Sequence, residues 1–147
     1  MLAIKVDIAS LIPHAGAMCL LDGVVHWNAV KIRCFSRTHR DHNNPMRAEG
    51  QLPGLCGIEY AAQAMAVHGG LVGIAGTKPR AGYLVSLREV VCLESRLDQF
   101  NDDLVVDAEL LMNDESRVIY RFNLRAGEIE VLSGRATVVL DANQATT

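Results

Sequence analysis

At 147 residues, half of them apolar and 21% charged, the chain has the size and balance of one globular domain that buries roughly 70% of its unfolded surface, which leaves no room for a second domain. A net charge of -3 makes it a poor candidate for nonspecific nucleic-acid binding. Its four cysteines, Cys19, Cys34, Cys56 and Cys92, show neither CxxC nor His/Cys ligand spacing and read as reduced core residues of a cytoplasmic protein.

Met1-Leu-Ala-Ile-Lys-Val-Asp7 lacks the basic region and apolar core of a signal peptide. Residues 7–12 read as one helical turn ended by Pro13, and the apolar run 17–21 is closed by the turn signal Asp22-Gly23. Residues 24–27 and 29–36 read as paired strands with Asn28 at the turn, since Val30, Ile32 and Cys34 alternate with Lys31 and Arg33. The polar stretch 37–47 is a loop, the kind of segment on which function is often carried by a rigid scaffold. Its Thr38-His-Arg-Asp-His42 run offers three possible metal ligands, but the flanking Arg37, Arg40 and Arg47 argue against a cation, so no metal is expected.

Pro53-Gly54 then breaks the chain ahead of its most apolar stretch, 55–74, in which Glu59, Gln63 and His68 are the strongly polar residues. A helix apolar on nearly every side is buried. Glu59 and Gln63, four residues apart, share one face. An unpaired buried carboxylate is costly, so Glu59 requires a function or a partner. His68 lies nine residues beyond Glu59, on the opposite side of the helix, and reads as a satisfied core or interface histidine. His14 also reads as structural, and His26 has no partner nearby in sequence. The run is long enough to span a bilayer, yet its polar residues and glycines argue against insertion.

Residues 76–80 turn the chain, and strands follow at 82–87, 89–93, 104–112, 118–124 and 128–140, separated by Asp102-Asp103, Asn113-Asp114 and Ala126-Gly127. The tail 141–147 is polar and expected to fray. One long buried helix followed by antiparallel strands is an α+β pattern: a single domain over 1–147 whose sheet curls around the helix.

Four fragments in order resemble the hotdog-fold acyl thioester dehydratases of fatty acid synthesis. Leu11-Ile-Pro-His14 through Asp22 is similar to the family's opening "LPHR-P-LLLVD" segment, and Leu52-Pro-Gly through Gln63 to its "MPG…(E/D)AMxQ" helix start. Gly82 through Val90 and Asn101-Asp-Asp-Leu104 resemble the following strand and its "GD-L" turn. Asn44-Pro-Met-Arg47, Gly50, Leu52-Pro53 and Gly57 through Gly69 are most similar to the predicted 3-hydroxyacyl-carrier-protein dehydratases found with aryl-polyene and related polyketide pathways.

The resemblance implies a hotdog fold and the dehydration of 3-hydroxyacyl thioesters, carried on an acyl carrier protein or on coenzyme A, to trans-2-enoyl thioesters. No cofactor is implied beyond the phosphopantetheine borne by the substrate. In the family a histidine and an acidic residue move the protons, and a backbone N–H at the helix start meets the thioester oxygen. Glu59 falls on the acidic position, Gly54 on that of the amide donor, and Gln63 on a glutamine that would orient Glu59. The family's "GHFPG" histidine, fourteen residues before the acid, would fall on Pro45, so the partner of Glu59 is expected to be His39, with His42 as the alternative. Arg37, Arg40 and Arg47, joined by Lys78 and Arg80, would form a positive patch for an acidic carrier; a solvated, charge-rich loop is the other reading of the same residues.

Hotdog proteins generally pair through their sheets, so that the acid of one chain faces the histidine of the other. A homodimer, or a heteromer with another hotdog protein, is therefore expected. Two further functions remain open at this point. One is a hotdog thioesterase, in which the carboxylate activates water. The other is a subunit without activity of its own, favoured by the shortened histidine loop.

Overall fold

The computed structural model describes residues 8–12, 16–73, 82–114 and 116–140. A short helix α1 (Ile8–Leu11) precedes the hairpin β1 (Gly23–Trp27) and β2 (Lys31–Ser36). The long helix α2 (Gly57–Val72) follows, and then β3 (Gly82–Cys92), β4 (Leu104–Asn113), β5 (Arg117–Ala126) and β6 (Ile129–Leu140). The six strands form one antiparallel sheet in the order β1-β2-β4-β5-β6-β3, with β1 and β3 at its edges. One long helix against such a sheet is the expected hotdog architecture.

The helix lies on one face of the sheet because both present small and apolar groups there. Tyr60, Ala61, Ala64, Met65 and Val67 are buried against Ile32, Cys34, Val106, Tyr120, Phe122, Leu124 and Leu132. A Cβ at Gly57 would stand 2.5 Å from the Leu124 side chain, so only glycine lets the helix start approach β5 and β6 this closely. The helix ends at Gly73, whose φ of 77° is the left-handed cap that glycine adopts without strain.

His68 is fully buried, as expected of a core histidine. A carbonyl only accepts, so Nε2–H donates to the Asn28 oxygen at 2.9 Å, and Nδ1 accepts from the Tyr120 hydroxyl at 2.7 Å. Asn28 is the hinge of the β1–β2 hairpin, its Oδ1 accepting from the Val30 and Lys31 amides. The helix thus fastens that turn.

Two expectations are corrected. Residues 82–87 and 89–93 are one strand interrupted by a bulge: Arg88 pairs with Arg135 and Val91 with Ser133, while Glu89 takes a φ of 55°. No glycine announces that left-handed residue. Of the cysteines only Cys34 is buried; Cys19 and Cys56 are half-buried, and Cys92, on the edge strand β3, is exposed. Burial pushes the Cys34 thiol up to about 12.

Candidate active site

The approach to α2 is built by pairing with a distant loop. Leu97 N–H donates to the Leu52 oxygen at 2.8 Å, Leu52 N–H to Asp98 Oδ1 at 2.9 Å, and Gly54 N–H to the Ser95 oxygen at 2.9 Å. Arg96 beside Asp98 holds that carboxyl well below the usual carboxylate range. A Cβ on Gly54 would sit 1.9 Å from the Glu94 oxygen, so the glycine is sterically required.

Its expected role as thioester-oxygen donor is corrected, because its N–H is already given to Ser95. In the single 3-10 turn that leads into the helix, Cys56 N–H bonds to the Pro53 oxygen and Gly57 N–H to the oxygens of Gly54 and Leu55. Leu55 N–H has no hydrogen-bond partner among the described residues, and the residue is 59% exposed. An unfilled amide at a helix start is the donor available to an incoming oxygen. Nothing local in the sequence announces the bond from Gly54 to Ser95.

Glu59 sits in the first turn of α2, half-buried. Cys56, one turn below it, is raised by burial and further by the charge of Glu59, which places the thiol in the field of the carboxylate. Gln63, one turn above, is fully buried. Its Oε1 accepts from Leu20 N–H at 2.8 Å and its Nε2 donates to the Met18 oxygen at 2.7 Å. Both ends of the amide fasten the 18–20 segment to the helix, and support for Glu59 is not what these bonds supply.

His39 lies in a short 3-10 turn, Thr38–Arg40, just beyond β2, and its residue exposure is 0%. Nε2–H donates to the Phe100 oxygen at 3.0 Å, which leaves Nδ1 as a buried lone pair without a partner. Burial lowers the affinity of the ring for a proton; the charges that act on it are those of Arg40 and Asp103, and Glu59 is not among them. The turn is nevertheless tied to α2: Thr38 Oγ1 and the Tyr60 hydroxyl stand 2.8 Å apart, and Asn44 Nδ2 donates to Tyr60 and to the Thr38 oxygen. The expected Glu59–His39 pair is therefore not formed within the chain, although their neighbours Tyr60 and Thr38 touch. His42 is exposed in the following turn, and His26 is exposed on β1.

The arginines bond within the loop and to the turn at 101–103. Arg47 donates to three carbonyl oxygens, those of His39 at 3.1 Å, Asp41 at 2.9 Å and Gly50 at 2.8 Å. Arg37 and Arg40 share Asp103 at 3.3 and 3.4 Å, and Arg40 also bonds to the Asn101 oxygen. These bonds brace the loop, while the Arg37 side chain stays 60% exposed. Lys78, Arg80 and His14 lie outside the described residues, as does the tail 141–147. Among the described residues no three His, Cys, Asp or Glu side chains are placed to hold a metal ion, and no helix is long and apolar enough to cross a membrane.

A family model described as ApeP dehydratase (ApeP-like) matches residues 6–147. Among solved structures, the dehydratase heterocomplex ApeI:P from Xenorhabdus doucetiae is similar at 23% identity, covering 96% of this chain and 95% of the other with a TM-score of 0.84. A hypothetical thioesterase with coenzyme A from Streptococcus pneumoniae is similar at 12% identity, covering 80% and 84% with a TM-score of 0.58. An uncharacterised protein from Pyrococcus horikoshii is similar at 17% identity, covering 84% and 85% with a TM-score of 0.60. At these identities the structural likenesses establish the hotdog fold. No curated protein sequence matches the chain.

Proposed function

The chain belongs to the ApeP dehydratase family, and from that membership we propose that it dehydrates 3-hydroxyacyl thioesters as one half of a two-chain hotdog enzyme. The observation that carries this reading is an asymmetry within one chain. Glu59 stands half-buried in the first turn of α2, four residues past the Leu55 amide, whereas the nearest family-like histidine, His39, is sealed and bonded to Phe100. A dehydration needs both an acid and a base. The base is then supplied by a histidine of a second chain.

In this reading the substrate's thioester oxygen accepts from Leu55 N–H, which stabilises the charge that develops as the partner's imidazole removes the C2 proton. Glu59 protonates the C3 hydroxyl, the C3–O bond breaks, and water leaves with the trans-2-enoyl thioester remaining. Two things support a second hotdog chain as the partner. The far edge of β3 is unpaired and presents Leu84, Val85, Leu87 and Val91 to solvent. The similar Xenorhabdus structure is itself a heterocomplex. The acyl group would arrive on the phosphopantetheine of a carrier protein or of coenzyme A.

The test is hydration of an enoyl thioester by the chain alone, by a hotdog partner alone, and by the two mixed. Activity in the mixture that exceeds the sum of the parts by at least about a hundredfold, the scale of one acid–base contribution, is expected. Full activity of the chain alone would remove the two-chain reading. Free thiol released without a change in double bonds would replace dehydration by thioester hydrolysis.

A further inference from the structure

The outer face of the sheet, opposite α2, carries an arrangement that dehydration does not use. Arg121 on β5 pairs directly with Arg135 on β6, and Arg135 with Arg88 on β3. Cross-strand partners project to the same face, so three arginines stand in one row across three strands. Adjacent strands are about 4.8 Å apart, which gives the row a length of about 10 Å. Arg125, four residues beyond Arg121 on a strand of alternating burial, joins the same face.

These charges are poorly met. Arg121 reaches Glu109 at 3.4 Å, but Lys31 shares that carboxylate at 3.6 Å. Arg135 reaches Glu89 at 3.8 Å. Arg88 and Arg125 have no carboxylate partner among the described residues, and the Nε atoms of Arg125 and Arg135 have no hydrogen-bond partner. Arg33 and Asp107, on the same face at 2.7 Å, show what a closed pair looks like. The middle of the face sets Lys31, Arg33, Arg88, Arg121, Arg125 and Arg135 against Glu89, Asp107, Glu109 and Glu130, a positive balance on a chain of net charge -3. Like charges directly opposite in a sheet destabilise it.

We propose that this row is a docking surface for an acidic α-helix of a partner protein. Carboxylates at successive i, i+4 positions of a helix stand about 5–6 Å apart, which matches the spacing of the arginines. Guanidinium groups bind carboxylates as two-pronged donors. Tyr120 and Phe122, the aromatic residues of β5, are buried on the helix side of the sheet and do not interleave with the row, as base stacking would need. The surface lies behind the sheet, away from Leu55 and Glu59. A helix bound there leaves the site open, and the inference goes beyond the dehydration reading without depending on it.

The test is fluorescence anisotropy of the full chain with a labelled helical peptide bearing glutamate at every fourth position, at low and at physiological ionic strength. Binding is expected to weaken with salt, to vanish when the glutamates are replaced by glutamine, and to fall at least about tenfold in Arg88→Glu/Arg121→Glu. If thermal melting shows that the double variant does not fold, Arg88→Gln alone, at an exposed and unpaired position, is expected to weaken binding about threefold. Arg117→Gln, whose arginine pairs with Asp114 at the strand end, should leave binding unchanged. Equal affinity of the folded Arg88 variants and the natural chain would overturn the proposal. So would single-stranded DNA binding as tightly as the peptide through the same arginines.

Discussion

The start of α2 and the loop 37–47 meet at the Thr38–Tyr60 hydrogen bond, yet they dispose of their polar groups in opposite ways. The loop holds the densest charge in the chain and engages it in local bonds: Arg47 with three carbonyls, Arg37 and Arg40 with Asp103, and His39 with Phe100. The helix start is poor in polar groups, but the Leu55 N–H there has no hydrogen-bond partner among the described residues, and Glu59 is half-buried. On the proposed reading, an open backbone donor rather than density of charge marks the reactive end.

The comparison can be broken most severely at Gly54. Replacing it by alanine drives a Cβ against the Glu94 carbonyl and is expected to cost about 3 kcal/mol, the upper end of overpacking, read as a lowered denaturant midpoint with activity lost alongside. Tyr60→Phe cuts the link between the two regions. It should cost about 1–2 kcal/mol and speed amide exchange at 38–44 while α2 stays protected, because Thr38 and Asn44 lose a shared buried partner. Uniform acceleration in both regions would show them to be one unit. Arg47→Lys keeps the charge but loses the fork that spans three carbonyls, and a loss of about 1 kcal/mol confined to the loop is expected.

The smallest effect is one of pH. Burial lowers the folded pKa of both His39 and His68, so the unfolded chain binds protons first. Their contribution is intact above the unfolded value near 6.5. It is lost as pH falls from there toward the folded values, by less than about 1 kcal/mol per imidazole between pH 7 and 6. Urea midpoints across that window should fall with pH, and less steeply in His39→Gln.

Much of the fold was legible in residue pattern. The 55–74 run is apolar all round and became the buried helix, and the two-residue alternation of 104–112 and 118–124 became β4 and β5. The place of Glu59 in the first turn of that helix was legible too, from the Pro53-Gly54 break just ahead of the apolar run. The rest was decided by contacts far away in sequence. The Gly54 amide is taken by Ser95, the Gln63 amide by Met18 and Leu20, and the charges of the loop by Asn101 and Asp103. A motif places residue types, but it does not say which of their donors are already in use. The Glu89 bulge was illegible for a different reason, since a non-glycine residue there takes a left-handed conformation that its identity does not advertise.

The central claim is that this chain brings the acid and a second chain brings the histidine. It is tested most directly by enoyl thioester hydration with the assembled pair, comparing Glu59→Gln and His39→Gln at matched folded concentration. The account predicts that Glu59→Gln loses about 10²–10⁴-fold in turnover with an unchanged melting temperature, while His39→Gln melts earlier and keeps turnover within a few-fold. A pair in which His39→Gln is the inactive one and Glu59→Gln turns over normally would contradict it.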